Sequence, residues 1–214
     1  MLEMMPMGPL DANCYLLYGK QGREAVMIDP SDADKAMSLL TERDLKLTHI
    51  LLTHRHFDHL AGVANLRETT HAEVLIHSLD APGLRERSAS MALFMPGVFV
   101  PTEPTGILED GDVIEAAGFV FRVIHTPGHT EGGVVYVCDE EKCAFTGDTV
   151  FCESFGRTDM PGGNMRQLAK SILDSVLKLP ADYILYPGHG DETTVAHEAD
   201  RNPILRIRSR IWQV

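Results

Sequence analysis

Apolar residues fall along this chain in short blocks separated by turn residues, and the blocks switch between strand-like and helical spacing. Asn13–Tyr18 and Glu24–Ile28 flank Gly19-Lys20-Gln21-Gly22, the pattern of two strands joined by a turn. Ala36, Met37, Leu39 and Leu40 then recur at helical spacing behind Ser31, a residue type that caps helix starts. His49–Leu52 predicts a buried strand. Leu60, Val63, Ala64 and Leu66 predict a helix capped by Asp58, and Glu73–Ile76 a further strand. Residues 78–105 follow neither period, although Leu93, Phe94, Met95, Val98, Phe99 and Val100 lie there between prolines. They read as a helix plus a surface connection, with a lid or pocket wall as the alternative, since long loops in compact domains are often functional.

Strand patterns resume at Val113–Ala116, Phe119–Ile124, Val134–Cys138 and Cys143–Phe145. Met165, Leu168, Ile172, Val176 and Leu177 predict a helix over Asn164–Leu179. A last strand at Tyr183–Tyr186 precedes a short helix at Thr193–Asp200 and a basic tail with Arg201, Arg206, Arg208 and Arg210. No linker or low-complexity segment divides the chain, so a single domain over 1–214 is expected. Both halves run from strands to helix to strand. Packed sheet to sheet, they would give a four-layer α/β sandwich, though periodicity does not choose this over other α/β layerings.

A formal charge of −12 argues against nucleic acid or an anionic membrane as the main partner, because both attract basic surfaces. No run approaches the roughly 20 apolar residues of a membrane span. The N-terminus has no basic region followed by an apolar block, so it does not read as a secretory signal. Four cysteines without a C-x-x-C pair fit a reduced, cytoplasmic setting with free thiols.

Candidate chemistry concentrates in THRHFDHLAG, residues 53–62, which holds His54, His56, Asp58 and His59. His129 in HTPGHT, Asp148 in FTGDT and His189 in YPGHG also follow predicted strands, where α/β proteins place their sites. Gly128, Gly147, Gly188 and Gly190 beside them permit tight turns. Seven such donors exceed one tetrahedral zinc and suit two metals about 3.5–4 Å apart sharing a carboxylate. His54 and His56 are two apart, so on an extended backbone both point to one side. His49, His71, His77 and His197 read as structural. His125 does too, with support of a ligand as its alternative.

The motif H-x-H-x-D-H-L-A-G, followed in order by His129, Asp148 and His189, resembles the metallo-β-lactamase superfamily from NCYLL to the final strand. The resemblance implies a four-layer αββα sandwich. It also implies that His54, His56 and His129 bind one metal, Asp58, His59 and His189 the second, with Asp148 bridging. Zinc is the expected metal, and iron or manganese would suit the same donors. GDTVFCESFGRTDMPGGN, residues 147–164, looks like the glyoxalase II-like hydrolases, most of all a short form without their C-terminal helical domain.

Two metals sharing a water lower its pKa toward neutrality, and one can polarise a carbonyl. Asp58 is then best placed to orient the nucleophile or take its proton. A thiolate with a pKa of roughly 8.5 leaves unaided, whereas an amine must first be protonated, so a thioester fits better than an amide. The resemblance makes a glutathione thioester such as S-D-lactoylglutathione the expected substrate. Arg206, Arg208 and Arg210 are candidates for holding its carboxylates, against a plain solvated basic face. The main rival is a persulfide dioxygenase, with one iron on His54 or His56, His129 and Asp148; Pro161-Gly162-Gly163 looks more like the hydrolases. A lactonase or β-lactamase would use the same hydroxide, though the missing secretion signal weakens the latter. Charge disfavours a nuclease. A non-catalytic metal-binding protein is disfavoured because all seven donors are present.

Overall fold

The computed structural model describes residues 1–94, 97 and 99–211, with backbone alone for 94 and 208–211. One six-stranded sheet runs in sequence order: β1 (Leu2–Met7), β2 (Ala12–Tyr18), β3 (Glu24–Ile28), β4 (Lys46–Leu51), β5 (Glu73–His77) and β6 (Gly106–Leu108). β1 to β3 pair antiparallel, and β3 to β6 pair parallel. Parallel neighbours need crossovers. α1 (Ala33–Glu42) supplies the first, and α2 (Phe57–Leu60) with α3 (Val63–Thr70) the second.

In the other sheet, β7 (Val113–Ala116), β8 (Phe119–His125), β9 (Val134–Cys138) and β10 (Cys143–Gly147) form an antiparallel meander. A hairpin of β11 (Val150–Phe151) and β12 (Ser154–Phe155) follows, then α4 (Met165–Asp174). β13 (Ile184–Pro187) returns parallel to β10, and β14 (Thr193–Thr194) completes the sheet before α5 (Val195–Arg201) and α6 (Ile204–Ile211).

Alternate residues of each strand enter different apolar layers, as the two-residue strand repeat requires. Leu16, Met27, Ile50 and Val74 pack outward with Ala36, Leu40, Val63 and Leu66. Their neighbours Tyr15, Val26, Leu51 and Leu75 face inward against Phe121, Tyr136 and Phe145 of the second sheet. Val135, Val137, Ala144 and Leu185 form the far layer with Leu168, Ile172, Val195 and Ile204. The result is the expected αββα sandwich. β2, β9 and β10 are buried at every position, which is why they read as continuous apolar runs rather than alternating ones.

Several boundaries differ from the sequence reading. Asp32, not Ser31, caps α1: its carboxylate accepts the Lys35 N–H at 3.0 Å. Asp58 is not a cap. It sits inside the short α2, whose N-cap position is His56, and its side chain faces His189. The helix expected over 164–179 is α4 followed by a 3₁₀ turn at Val176–Lys178. Within 78–105 the structure has 3₁₀ turns at Ala81–Leu84 and Ala92–Phe94, and Ser90 O accepts from Phe57 N at 2.9 Å. The lid reading falls partly on residues 95, 96 and 98, outside the described set. Among the described residues no helix is long and apolar enough to cross a membrane.

Candidate metal centre

Strand direction explains why distant loops converge. β3, β4 and β5 run parallel, as do β8, β10 and β13, so their carboxyl ends share a rim of each sheet. Polar ties stitch the two rims together there. Tyr136 Oη donates to Leu52 O at 2.7 Å, Val134 N to Thr53 O at 2.9 Å, and Tyr15 Oη to Pro187 O at 2.6 Å. Each chemistry-bearing loop leaves from this rim.

All seven sequence candidates meet in one cluster. His54, His56 and His129 form one group with a ligand atom from each within 4.8 Å of the others, and Asp58, His59 and His189 form a second. The groups adjoin through His54 and His59, whose ring centroids are 4.2 Å apart. Asp148 lies between them. Its Oδ1 is 3.4 Å from His59 Nε2, and its Oδ2 is 3.4 Å from His129 Nε2 and 3.9 Å from His189 Nε2. Asp58 Oδ2 is 3.3 Å from His189 Nε2. His189, with 30% of its side chain exposed, is the open side of an otherwise buried cluster, and the Phe151 ring lies beside it.

Supporting hydrogen bonds fix which imidazole nitrogen faces inward. Thr53 Oγ1 donates to Asp29 Oδ2 at 2.6 Å, so it accepts from His54 Nδ1 at 3.0 Å and leaves His54 Nε2 bare. Asp29 Oδ2 also accepts from His59 Nδ1 at 3.0 Å, and Arg157 O accepts from His129 Nδ1 at 2.8 Å. His59 and His129 thus present Nε2 as well. His56 turns Nδ1 to 2.9 Å from His129 Nε2.

His54 Nε2, His56 Nε2, His59 Nε2 and Asp148 Oδ1 are buried without a hydrogen-bond partner. Each such group costs about 1–3 kcal/mol if left bare, so a cluster of them marks a binding site. Burial, reinforced by neighbouring imidazoles, holds His54 well below the usual histidine range and His56 at about 3, so both keep their lone pairs free. Burial opposes charge on Asp148 and His59 too. Yet His59 draws the Asp148 carboxyl well below its usual range, and Asp148 with Asp58 raises His59 well above its own. An anionic, imidazole-rich, buried donor set fits divalent transition metals.

Glycine is required at Gly188 by close approach: an added Cβ would come within 2.2 Å of Asp148 Oδ1 and 2.7 Å of His59 Cε1. Gly147 combines φ +47° with a Thr53 side chain that an added Cβ would meet at 2.4 Å.

Sequence reasoning missed two residues. Asp29 accepts from Thr53 N at 2.8 Å besides its bonds to Thr53 Oγ1 and His59. It also falls within 4.8 Å of His54 and His59 donors, but it accepts from His59 Nδ1, the nitrogen opposite the inward-facing Nε2, which makes it a support rather than a ligand. Its position at the carboxyl end of β3, like the other candidates on their strands, was the available signal. Asp29→Asn is expected to weaken metal binding about 10–100-fold, the range for such supports, as read by chelator competition. Unchanged affinity would refute the role.

Asp80, three residues past β5, was the other omission. It is fully buried and accepts from Arg55 N, Arg55 Nη1, Thr130 Oγ1 and Gly132 N at 3.0, 3.2, 2.6 and 2.9 Å. His125 does not touch the cluster; it stacks on His77 and meets Glu131 O, consistent with its structural reading. Arg206 lines a cleft with Asp200, Arg201, Asn202 and Leu205, none of them in the cluster. The side chains of Arg208 and Arg210 lie outside the described set.

The profile of the metallo-β-lactamase superfamily matches residues 7–189. The chain belongs to that superfamily. A Haemophilus influenzae protein named hydroxyacylglutathione hydrolase GloC is 33% identical, over 97% of this chain and 99% of its own. Among solved structures, BLEG-1 B3 metallo-β-lactamase superposes with TM-score 0.91 at 36% identity, covering 96% of this chain and 99% of that one. The di-iron-bound form of TTHA1623 does so with TM-score 0.82 at 37% identity, covering 94% and 98%. Membership and the buried His/Asp cluster make this chain a metallo-hydrolase of the superfamily.

Proposed function

We propose that the chain is a binuclear hydrolase of acyl thioesters, with S-D-lactoylglutathione as the leading substrate and glutathione and a hydroxy acid as products. The observation that carries the binuclear reading is Asp148, whose carboxylate lies 3.4 Å from His129 of one three-residue group and 3.4 Å from His59 of the other. His54, His56 and His129 would hold one cation, and Asp58, His59 and His189 the other, with Asp148 shared. Zinc, iron and manganese all suit these donors, and the similar TTHA1623 carries two irons. Such a pair, when bound, lowers the pKa of a shared water and polarises the substrate carbonyl.

The chain's own residues do the rest. Asp29, Thr53 and the Arg157 carbonyl hold three imidazoles in the tautomer that turns Nε2 inward. Asp58 is drawn below the usual carboxylate range, burial being outweighed by His59 and His189, so it stays ionised. It is the residue best placed to orient the attacking water or take its proton. The similarity to GloC supports a glutathione thioester, and a thiolate leaving group needs no protonating acid. Arg206 remains a candidate contact for the glutathione carboxylates. Ile204 is fully buried, so Arg206→Ala tests that contact more cleanly than removing the tail.

The test is metal quantification on the purified protein, followed by thiol release from S-D-lactoylglutathione. Two metals per chain with thiol release is the expected result. Two metals without it would overturn the thioester reading. One iron per chain with oxygen uptake on glutathione persulfide would establish the dioxygenase instead.

A further inference from the structure

Cys152, in the turn between β11 and β12, meets His197 and Glu198 of α5, and none of the three belongs to the cluster above. One ligand atom from each lies within 4.8 Å of the other two. The group is held in place by hydrogen bonds. Glu198 is fully buried, and both its oxygens face Glu153 N, at 3.1 and 3.2 Å. Thr193 Oγ1 donates to Oε1 at 2.7 Å and Asn202 Nδ2 to Oε2 at 2.7 Å. The Glu153 N–H is shared between the two oxygens, so an ion bound at one of them replaces only that half of the shared contact.

Thr194 Oγ1 accepts His197 N at 3.1 Å, which caps α5 and sets where His197 starts. His197 Nε2 is 3.0 Å from Glu153 Oε1, so a second carboxylate reaches the same point. Cys152 is exposed and the His197 side chain 42% exposed, so an ion can enter from solvent.

We propose that Cys152, His197 and Glu198, with Glu153 in reach, form a second, peripheral zinc site. The donor types decide the metal. Thiolate with imidazole and carboxylate favours zinc and disfavours magnesium or calcium, which take oxygen ligands. Tetrahedral zinc, with bonds of about 2.0–2.3 Å, needs ligand atoms roughly 3.5 Å apart. Rotations of the exposed Cys152 and His197 side chains supply the remaining approach, while the buried Glu198 stays still. His197, structural on the sequence reading, becomes a ligand here because α5 folds back over the β11–β12 turn.

The main cluster contains only nitrogen and oxygen donors, so sulfur distinguishes the two sites. Cobalt(II) titration of the whole protein is expected to produce a thiolate-to-cobalt charge-transfer band that added zinc abolishes. Cys152→Ser should remove the band and His197→Ala should weaken cobalt binding at it at least tenfold. Both should leave cobalt uptake by the main cluster unchanged. Because Cys14, Cys138 and Cys143 are buried, the serine variant also shows whether any band comes from them. No band in the wild-type protein, a band that survives Cys152→Ser, or one that His197→Ala leaves at full affinity would overturn the site.

Discussion

Asp148→Ala is expected to reduce bound metal from two ions to one or fewer, and thioester hydrolysis by about a thousandfold. The size follows from what the residue does. Asp148 lies between the two groups of imidazoles, with Oδ1 toward His59 and Oδ2 toward His129. Taking one partner from a buried, charged network costs about 3–5 kcal/mol, which corresponds to roughly three powers of ten. Asp148→Asn keeps the shape but not the charge, so it should bind metal weakly and hydrolyse almost as poorly. Circular dichroism should be unchanged for both, since the preceding β10 is held by backbone pairing to β9 and β13. An Ala variant that retained two metals and stayed within tenfold of the wild-type rate would remove Asp148 from its shared position.

The parts legible in sequence were those whose signal is local. His54, His56, Asp58 and His59 lie within six residues, and β4, which delivers them, ends in Ile50 and Leu51 and leads on through Leu52, buried on both faces. Their spacing therefore carries the geometry. His129, Asp148 and His189 were legible because each follows a strand and sits beside a glycine. β1 and β6 were not. β1 is an edge strand with Pro6 and alternating exposure, and β6 is only three residues, so neither has an apolar run to detect. Ser31 and Asp32 are adjacent and both cap helices well, so composition could not choose between them. Asp29 and Asp80 failed for a different reason. An aspartate before proline, or in an irregular stretch, reads as a turn residue. Its real partners, His59 for one and Thr130 and Gly132 for the other, are dozens of positions away.

Asp80→Ala is expected to be the most destabilising single change near the site, at about 3–5 kcal/mol, or roughly 10 °C in melting temperature for a chain this size. Arg55 sits between His54 and His56, and its side chain is 9% exposed. Its guanidinium also bonds Glu131 and the Pro161 carbonyl, so it joins the first histidine loop to two others. Asp80 closes that arrangement by accepting from Thr130 and Gly132, beside His129. Without it, two backbone N–H groups and a buried hydroxyl lose their acceptor, and Arg55 keeps only partners at the edge. The damage should fall unequally on the two metal positions. His54, His56 and His129 lie on the loops Asp80 ties together, whereas Asp58 and His59 lie in α2 and His189 follows β13, away from the bonds Asp80 makes. Chelator titration of the variant should therefore release one metal at a lower chelator concentration than the other, and Asp80→Asn should fall between it and the wild type. A variant that melts normally and releases both metals as the wild type does would show that Asp80 supports neither the fold nor the site.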